Sequence, residues 1–175
     1  YFVIKSVAPD YIGANGFVFI RASGAFLLFL TIDAFLPKDK VDKKDYKKFI
    51  FAALFGVVFN QLSFFNGITY TAPNYAAIIM TTTPIIVLVI SALYLKERIT
   101  KNKIIGMVLG GIGAVTVILH NKISKEAPNP LLGNLLIFSN AANFGFYIVY
   151  CKPLIMKYKP FTVLKWVFLP GALIL

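Results

Sequence analysis

Long apolar segments alternate with short polar ones along the chain, and this alternation predicts membrane-spanning helices. No Asp, Glu, Lys, Arg or His lies between Lys48 and Lys96. Because about 20 apolar residues carry a helix across a bilayer core, this uncharged stretch holds two spans, separated by a tight link at 69–74. The pattern gives seven predicted segments: the tail of a helix at 1–8, Gly16–Leu36, Phe49 to Ile68, Thr71–Arg98, Ile104 to His120, Leu131 to Met156, and a last one that starts at Phe161.

The fourth predicted span, Thr71–Arg98, carries Pro84 near its middle, directly after three threonines. Proline removes one helical hydrogen bond and clashes with the carbonyl four residues back, which here belongs to Met80. In a bilayer such a break persists only where hydroxyls, water or neighbouring helices satisfy the freed carbonyl. We therefore predict a helix broken at mid-depth, whose proline and threonines either repair the break or line a substrate path. Tyr75, at the start of this span, is either a cavity residue or an interfacial aromatic. The threonines are Thr81, Thr82 and Thr83.

The composition excludes an ordinary soluble domain. The chain is 58% hydrophobic and 14% charged, with a mean hydropathy of +0.76, whereas soluble domains are about 45–50% apolar and about 25% charged. A net charge of +11 would also suit a nucleic-acid partner, but the lysines lie between apolar spans, as the positive-inside rule predicts. We expect the lipid bilayer as a partner and no nucleic acid.

The basic residues are distributed unequally between the two sides of the predicted bundle. Six lie in segment 37–48, four in 96–103 and three in 152–159, against none in 9–15, none in 69–74 and two in 121–130. Since short cytoplasmic loops carry the excess of Lys and Arg, the loops 37–48 and 96–103 are predicted to be cytoplasmic. The expected location is the inner (plasma) membrane, which the chain crosses several times.

Polar side chains within two of the spans are candidates for a substrate cavity. Asn60 and Gln61 lie near mid-depth in the third span, and interhelical hydrogen bonding is the alternative role for such amides. Spacings of three and four place Asn140, Asn143 and Tyr147 on one face of the sixth span. A polar stripe in an apolar span should face protein or water, so these three residues either line a cavity or form structural bonds.

An ordered set of features runs through the fourth and fifth spans: a small-residue helix start, a mid-helix proline, an acidic–basic pair and a Gly-rich helix. In this the chain resembles the EamA-type domain of the drug/metabolite transporter superfamily. Arg21, within FVFIRASGAFLLF, is similar to the arginine of the family's second helix, and LLGNLLIFSNAANFGFYIVYCKPLIMKY resembles the opening helix of its second repeat. The features are Thr71-Ala72, Pro84, Glu97-Arg98 and Gly106, Gly110, Gly111 and Gly113, within TAPNYAAIIMTTTPIIVLVISALYLKERITKNKIIGMVLGGIGAVTVI.

The resemblance implies an all-α fold of ten helices, arranged as two inverted five-helix repeats around a central substrate path. Residues 1–126 would then form the first repeat with a truncated first helix, and 127–175 the start of the second. The chain would be a fragment of this polytopic helical membrane protein. An alignment of 1–11 with 147–158 agrees with an inverted repeat, because an offset of five spans reverses the direction of insertion.

Charged and small residues around these spans are expected to gate or to pack. Arg21 either contacts substrate or a gate, or snorkels to the headgroups from the outer end of its span. Glu97 and Arg98 either seat the cytoplasmic end of the fourth helix through an ion pair or form part of a cytoplasmic gate. Gly106 and Gly110 form a GxxxG motif, which permits the close approach of another helix.

The residues supply the membrane topology, and the resemblance supplies the substrate class. Together they predict a secondary transporter, an exporter of small metabolites such as amino acids, that works by alternating access. A nucleotide-sugar or sugar-phosphate carrier of the same superfamily is an alternative that would need more basic groups in the cavity than Arg21. An alternative of another class is a membrane-embedded enzyme or assembly subunit. The sequence holds no catalytic motif or metal-ligand cluster, so no enzyme activity, metal or cofactor is predicted, and a homodimer is left open.

Overall fold

The computed structural model describes residues 13–35, 40–120 and 128–175. Within these ranges every regular element is helical, which confirms the all-α class. The predicted helix tail at 1–8 and the residues 121–127 lie outside the described part. The alignment of 1–11 with 147–158 stays a prediction, because 1–11 also lies outside it. The elements are α1 Ala14–Phe35, a 3-10 turn Lys43–Asp45, α2 Tyr46–Ala53, a π-helical segment Leu54–Val58, α3 Phe59–Tyr70, α4 Pro73–Met80, α5 Thr83–Tyr94, α6 Lys101–His120, α7 Pro130–Lys157 and α8 Pro160–Ile174.

Three helical segments of the described chain are long and apolar enough to cross a bilayer: Lys43–Tyr70, Pro73–Tyr94 and Pro130–Lys157. They correspond to the third, fourth and sixth predicted spans. Shorter apolar helices occupy Gly16–Ile32 and Pro160–Ile174, within the second predicted span and at the start of the seventh, and α6 covers the fifth. The prediction of a polytopic helical membrane protein is confirmed.

The predicted loop 37–48 is too long, since helical structure already begins at Lys43. Asp45 explains why helical structure begins earlier than predicted. Its side chain is buried, and its carboxylate accepts hydrogen bonds from Lys48 Nζ at 2.6 Å and from Tyr158 OH at 2.8 Å. A carboxylate in the first turn also interacts favourably with the positive end of the helix dipole. The charged residues that suggested a loop therefore form the start of a helix.

The three basic segments meet at one end of the helical bundle, which we call the basic end. Lys157 Nζ lies 2.7 Å from Asp45 Oδ2 and also pairs with Asp42, so the first basic segment is joined to the end of α7. Glu97 pairs with Lys152, which joins the second basic segment to the same helix. These ion pairs therefore hold the basic segments together at one end of the bundle. That the basic end is cytoplasmic stays a prediction.

The opposite end of the bundle is held by polar contacts between α3 and α7. The main-chain N–H of Asn129 donates to the Tyr70 carbonyl at 3.3 Å, and the Thr71 hydroxyl donates to Asn134 Oδ1 at 2.6 Å. A Cβ on Gly133 would lie 2.6 Å from the Thr71 nitrogen, so glycine is required for this approach. Because α3 ends where α7 begins, the two helices run antiparallel.

The predicted break in the fourth span is confirmed. α4 ends at Met80 and α5 begins at Thr83. The Thr83 hydroxyl donates to the Met80 carbonyl at 2.7 Å, and this is the carbonyl that Pro84 leaves without a helical donor. Thr81 and Thr82 likewise donate to carbonyls three residues back. The Thr83 hydroxyl therefore satisfies the carbonyl that Pro84 frees, whereas the carbonyls bonded by Thr81 and Thr82 also accept main-chain N–H groups. Contact of the threonines with substrate stays a prediction.

Two clusters of buried side chains form the core of the bundle. One cluster, nearer the basic end, includes Phe49, Val57 and Leu154, and the other includes Phe65 and Ile137. Val57 of the first cluster and Phe65 of the second line the same small cavity. This cavity therefore lies between two packed regions, away from both ends of the bundle.

Candidate functional site

The small cavity has a volume of about 280 Å³ and is enclosed by α1, the π-helical segment, α3, α7 and α8; we call it the inner cavity. It brings together four of the residues singled out in the sequence, although they come from three separate predicted spans. These four are Arg21, Asn60, Gln61 and Tyr147, and the other lining residues are Gly56, Val57, Phe64, Phe65, Phe144, Leu164 and Phe168. A few polar groups among aromatic walls are typical of a small-molecule site.

Gln61 offers an unused hydrogen-bond acceptor at this cavity. Its residue is 7% exposed, and its Oε1 has no hydrogen-bond partner within the described structure. Buried polar atoms are almost always paired, so each exception calls for an explanation. Because Gln61 also lines the inner cavity, a donor group on a bound solute, or a water molecule, would satisfy the amide oxygen there.

Arg21 brings the positive charge to the inner cavity. It projects from α1, and its guanidinium carbon lies 5.7 Å from the centroid of the Phe65 ring. A guanidinium over an aromatic face is stabilised by the ring quadrupole, and the contact holds the charge beside the cavity. Arg21 is exposed and lines this cavity, and its contact with substrate stays a prediction.

Tyr147 is positioned by a glycine in the π-helical segment. A Cβ added at Gly56 would overlap the Tyr147 ring, so the ring packs directly against the backbone of the segment Leu54–Val58. The N–H of Phe59 donates to the Leu54 carbonyl five residues back, which is the hydrogen-bond pattern of a π-helix. Such one-turn π segments are frequent at functional sites, and this one begins the helix that carries the cavity amides.

Asn60 and Asn140 form a reciprocal contact between α3 and α7. Asn60 Nδ2 donates to the Asn140 carbonyl at 3.3 Å, and Asn140 Nδ2 donates to the Asn60 carbonyl at 2.8 Å. Asn60 also lines the inner cavity, whereas Asn140 is 3% exposed and does not. Of the two roles left open for Asn140, the structure therefore shows the structural one.

A second cavity, of about 830 Å³, lies between the broken helix α4–α5, α6 and one side of α7. We call it the outer cavity. Most of its lining is apolar, and Glu97, Asn102 and Lys103 line the part that reaches the basic end. Seven residues singled out in the sequence belong to it: Thr81, Thr83, Pro84, Glu97, Gly106, Gly110 and Gly111. The predicted residues are thus divided between two cavities.

Glu97 connects the end of α5 to α7 at the mouth of the outer cavity. Lys96 adopts a left-handed conformation with φ of 53°, which turns the chain after α5. The hydrogen bond from Lys152 lowers the pKa of the Glu97 carboxyl, and Lys103, whose Nζ lies 3.9 Å away, adds to this effect. The partner of Glu97 is therefore Lys152 on α7, while Arg98 is exposed.

Gly106 and Gly110 line the outer cavity. No atom of the described structure lies within 4 Å of a Cβ built at either glycine, and the same holds for Gly111 and Gly113. The close approach of another helix to this GxxxG motif stays a prediction. Close approaches of helices occur at other glycines, such as Gly133 and Gly145 on α7, which face the backbone or side chains of the adjacent helices.

The remaining predicted residues line neither cavity. Asn143 Nδ2 donates to Ser139 Oγ at 3.3 Å, one turn back on its own helix. The Thr82 hydroxyl is used within the helix break. Tyr75 is half-buried at the start of α4. Two residues that the sequence did not single out matter instead: Asp45, which was one of three aspartates among lysines, and Gly56, whose isolated position inside an apolar helix was the available signal.

A sequence model of the EamA-like transporter family matches residues 1–119. The chain belongs to the EamA-like transporter family. Membership agrees with the apolar spans and the broken fourth helix described above, and it makes this a multi-pass membrane protein of a transporter family.

Relatives of this EamA-like chain include an uncharacterized transporter of Archaeoglobus fulgidus, 28% identical over 124 residues, which cover 71% of the chain and 43% of the relative. The uncharacterized transporters YetK and YyaM of Bacillus subtilis are each 26% identical, over 91% and 86% of the chain and 48% and 50% of their own lengths. The chain thus spans about half the length of the curated relatives it matches. No solved structure matches it significantly.

Proposed function

We propose that this EamA-like chain is part of a secondary transporter that exports small metabolites such as amino acids by alternating access. The observation that carries the proposal is the inner cavity, where the charged Arg21 and the unpartnered Oε1 of Gln61 occur among aromatic rings. A cation and a free acceptor in one small cavity suit a solute that carries both an anionic group and a hydrogen-bond donor. The aromatic walls suit its apolar part.

The broken helix supports the mechanism. α4 and α5 are separate helices whose junction is stabilised by threonine hydroxyls, so α5 can tilt without leaving a carbonyl unpaired. In transporters built from repeats, alternating access proceeds by rocking of one repeat against the other around a site formed by discontinuous helices. The basic end, with Glu97 and Lys152, would face the cytoplasm of a cell with the protein in its plasma membrane.

A nucleotide-sugar or sugar-phosphate carrier is not favoured by the inner cavity. Arg21 is the single cation among its described lining residues, whereas a pyrophosphate or phosphate group calls for several donors with positive charge. A membrane-embedded enzyme or assembly subunit also gains no support from the site, and the curated relatives carry the name transporter.

A flux assay tests the proposal. The full-length protein is reconstituted in proteoliposomes and assayed for transport of a panel of amino acids and other small metabolites. We expect movement of at least one zwitterionic or anionic solute, lost in Arg21→Gln and Gln61→Leu. Lys44→Gln is the control, because Lys44 is exposed and lines neither cavity. No flux across the whole panel, or equal flux in all three variants, would contradict the proposal.

A further inference from the structure

One side chain borders both the outer cavity and the inner cavity. Among the described residues, Phe144 is the only one that lines both. The outer cavity reaches the basic end at Glu97 and Lys103, whereas the inner cavity holds Arg21 and Gln61. The shortest connection between the two cavities within the described structure is therefore at the Phe144 ring.

The backbone beside Phe144 packs closely against α5, so the ring is the part that can move without a shift of the two helices. A Cβ added at Gly145 would lie 3.0 Å from Ile86 Cγ2 and 3.5 Å from the Val87 nitrogen. α7 and α5 are thus in close contact at this level, and no gap opens between them. The Phe144 side chain is 38% exposed and lies with its ring centroid 6.3 Å from that of Tyr147. A partly exposed ring can change rotamer within nanoseconds.

We propose that Phe144 is the gate between the two cavities and so controls access to the substrate site from the basic end. The proposal rests on the proposed transport function for its biological meaning, but the connection between the cavities can be measured without transport. Ile86, the residue against Gly145, lies two positions after Pro84 and within the α5 helix that follows the break. A tilt of α5 about the break would move this contact and with it the space available to the ring.

Cysteine accessibility tests the gate. The buried Cys151 is replaced by Ser in the full-length protein, and Gln61→Cys then reports on the inner cavity. Ser91→Cys, on the lining of the outer cavity, reports on the space before the gate. A charged, membrane-impermeant methanethiosulfonate is added from the basic side of vesicles, and the labelling rates are compared.

We expect Phe144→Ala to raise the labelling rate at position 61 by about tenfold, the change that removal of a barrier of about 1.4 kcal/mol gives. Phe144→Trp should lower that rate, and neither variant should change labelling at position 91. Phe138→Ala is the matched control, since Phe138 is exposed on the same helix and lines neither cavity. If the Ala variant folds poorly, the Trp variant still tests the gate, because it enlarges the ring instead of removing it.

Three outcomes overturn the gate: unchanged labelling at position 61 in both Phe144 variants, an equal rise at position 91, or the same rise in Phe138→Ala. The flux assay and the labelling assay can fail independently of each other. A protein whose labelling responds to Phe144 but that transports no solute has the gate without the proposed function. A transporter whose labelling is indifferent to Phe144 has the function without this gate.

Discussion

Asn60 and Asn140 each donate a side-chain amide hydrogen to the main-chain carbonyl of the other, at 3.3 and 2.8 Å, across the contact between α3 and α7. The two residues are 80 positions apart in the chain. The contact lies on the same helices that enclose the inner cavity, and Asn60 itself is part of the cavity wall. The amide pair therefore fixes the spacing of two of the walls at the level of the proposed substrate site.

We expect each asparagine to stabilise the contact through its own hydrogen bond, because each amide donates to a main-chain carbonyl that replacement of the other side chain leaves in place. Interhelical hydrogen bonds in membrane proteins contribute about 0.6 kcal/mol on average and up to about 1.7 kcal/mol. Asn60→Leu and Asn140→Leu should each lower the free energy of unfolding in detergent, and the double variant should cost about the sum of the two. Asn140→Leu also removes a buried Oδ1 that has no described partner, so it should cost less than Asn60→Leu.

Asn143→Leu is the control for this interhelical contact. Asn143 bonds within its own helix to Ser139, so its replacement removes no bond between α3 and α7. An unchanged free energy of unfolding in both Asn60→Leu and Asn140→Leu would contradict the reciprocal contact.

The sequence predicted those features that depend on residues close together in the chain. The helix break is one, because Pro84 and the Thr83 hydroxyl act on the Met80 carbonyl within a single turn. The spans themselves are another, since apolar length is a local property. Arg21 and Gln61 were singled out for a similar reason. A charge or an amide inside an apolar span is rare, whichever helices the span packs against.

The features that were missed depend on contacts between distant segments. Asp45 is buried, and its carboxylate accepts hydrogen bonds from Lys157 and Tyr158, which lie more than 100 positions away in the chain. The π-helical segment was not predicted, because the Tyr147 ring that packs against Gly56 belongs to a helix distant in sequence. The glycines of α6 show the limit of local sequence, since a GxxxG motif permits a close contact but does not say which helix makes it.

The contact of Gly56 with Tyr147 predicts a strong size limit at the π-helical segment. Gly56→Ala should lower the free energy of unfolding by about 1–3 kcal/mol, as overpacking does in a filled core, because the new methyl group would overlap the Tyr147 ring. Removing the ring makes room, so Gly56→Ala in a Tyr147→Ser background should cost much less. Detergent-induced unfolding measures both differences.

The matched control for Gly56 is Gly24, on α1, where a Cβ would meet no atom within 4 Å. Gly24→Ala should be neutral or stabilising, because alanine favours the helix by up to about 1 kcal/mol relative to glycine. If Gly56→Ala were tolerated as well as Gly24→Ala, the ring would not be packed against the segment as the structure has it.

The hydroxyl repair of the helix break predicts a dependence on the proline. Thr83→Val keeps the shape of the side chain but removes the donor to the Met80 carbonyl, so it should cost about 1 kcal/mol of unfolding free energy. In a Pro84→Ala background the new main-chain N–H can bond to Met80, and Thr83→Val should then cost little. Thr116→Val is the control, since the Thr116 hydroxyl donates to Ile112 within the regular helix α6. An equal cost of Thr83→Val with and without Pro84 would argue against the repair.

The ion pair of Glu97 with Lys152 predicts a pH-dependent part of the stability at the basic end. The hydrogen bond from Lys152 lowers the pKa of Glu97 below its ordinary value of 4.5. A carboxyl whose folded-state pKa is lowered stabilises the fold above the unfolded-state pKa, and this contribution is lost as the pH falls through the folded-state pKa. Glu97→Gln should therefore lower the thermal midpoint slightly at neutral pH, and the difference from the unaltered protein should vanish in acid. Lys152→Gln removes the same pair, so adding it to Glu97→Gln should change little. A difference between the Glu97→Gln and unaltered proteins that persists in acid would show that Glu97 acts through packing and not through its charge.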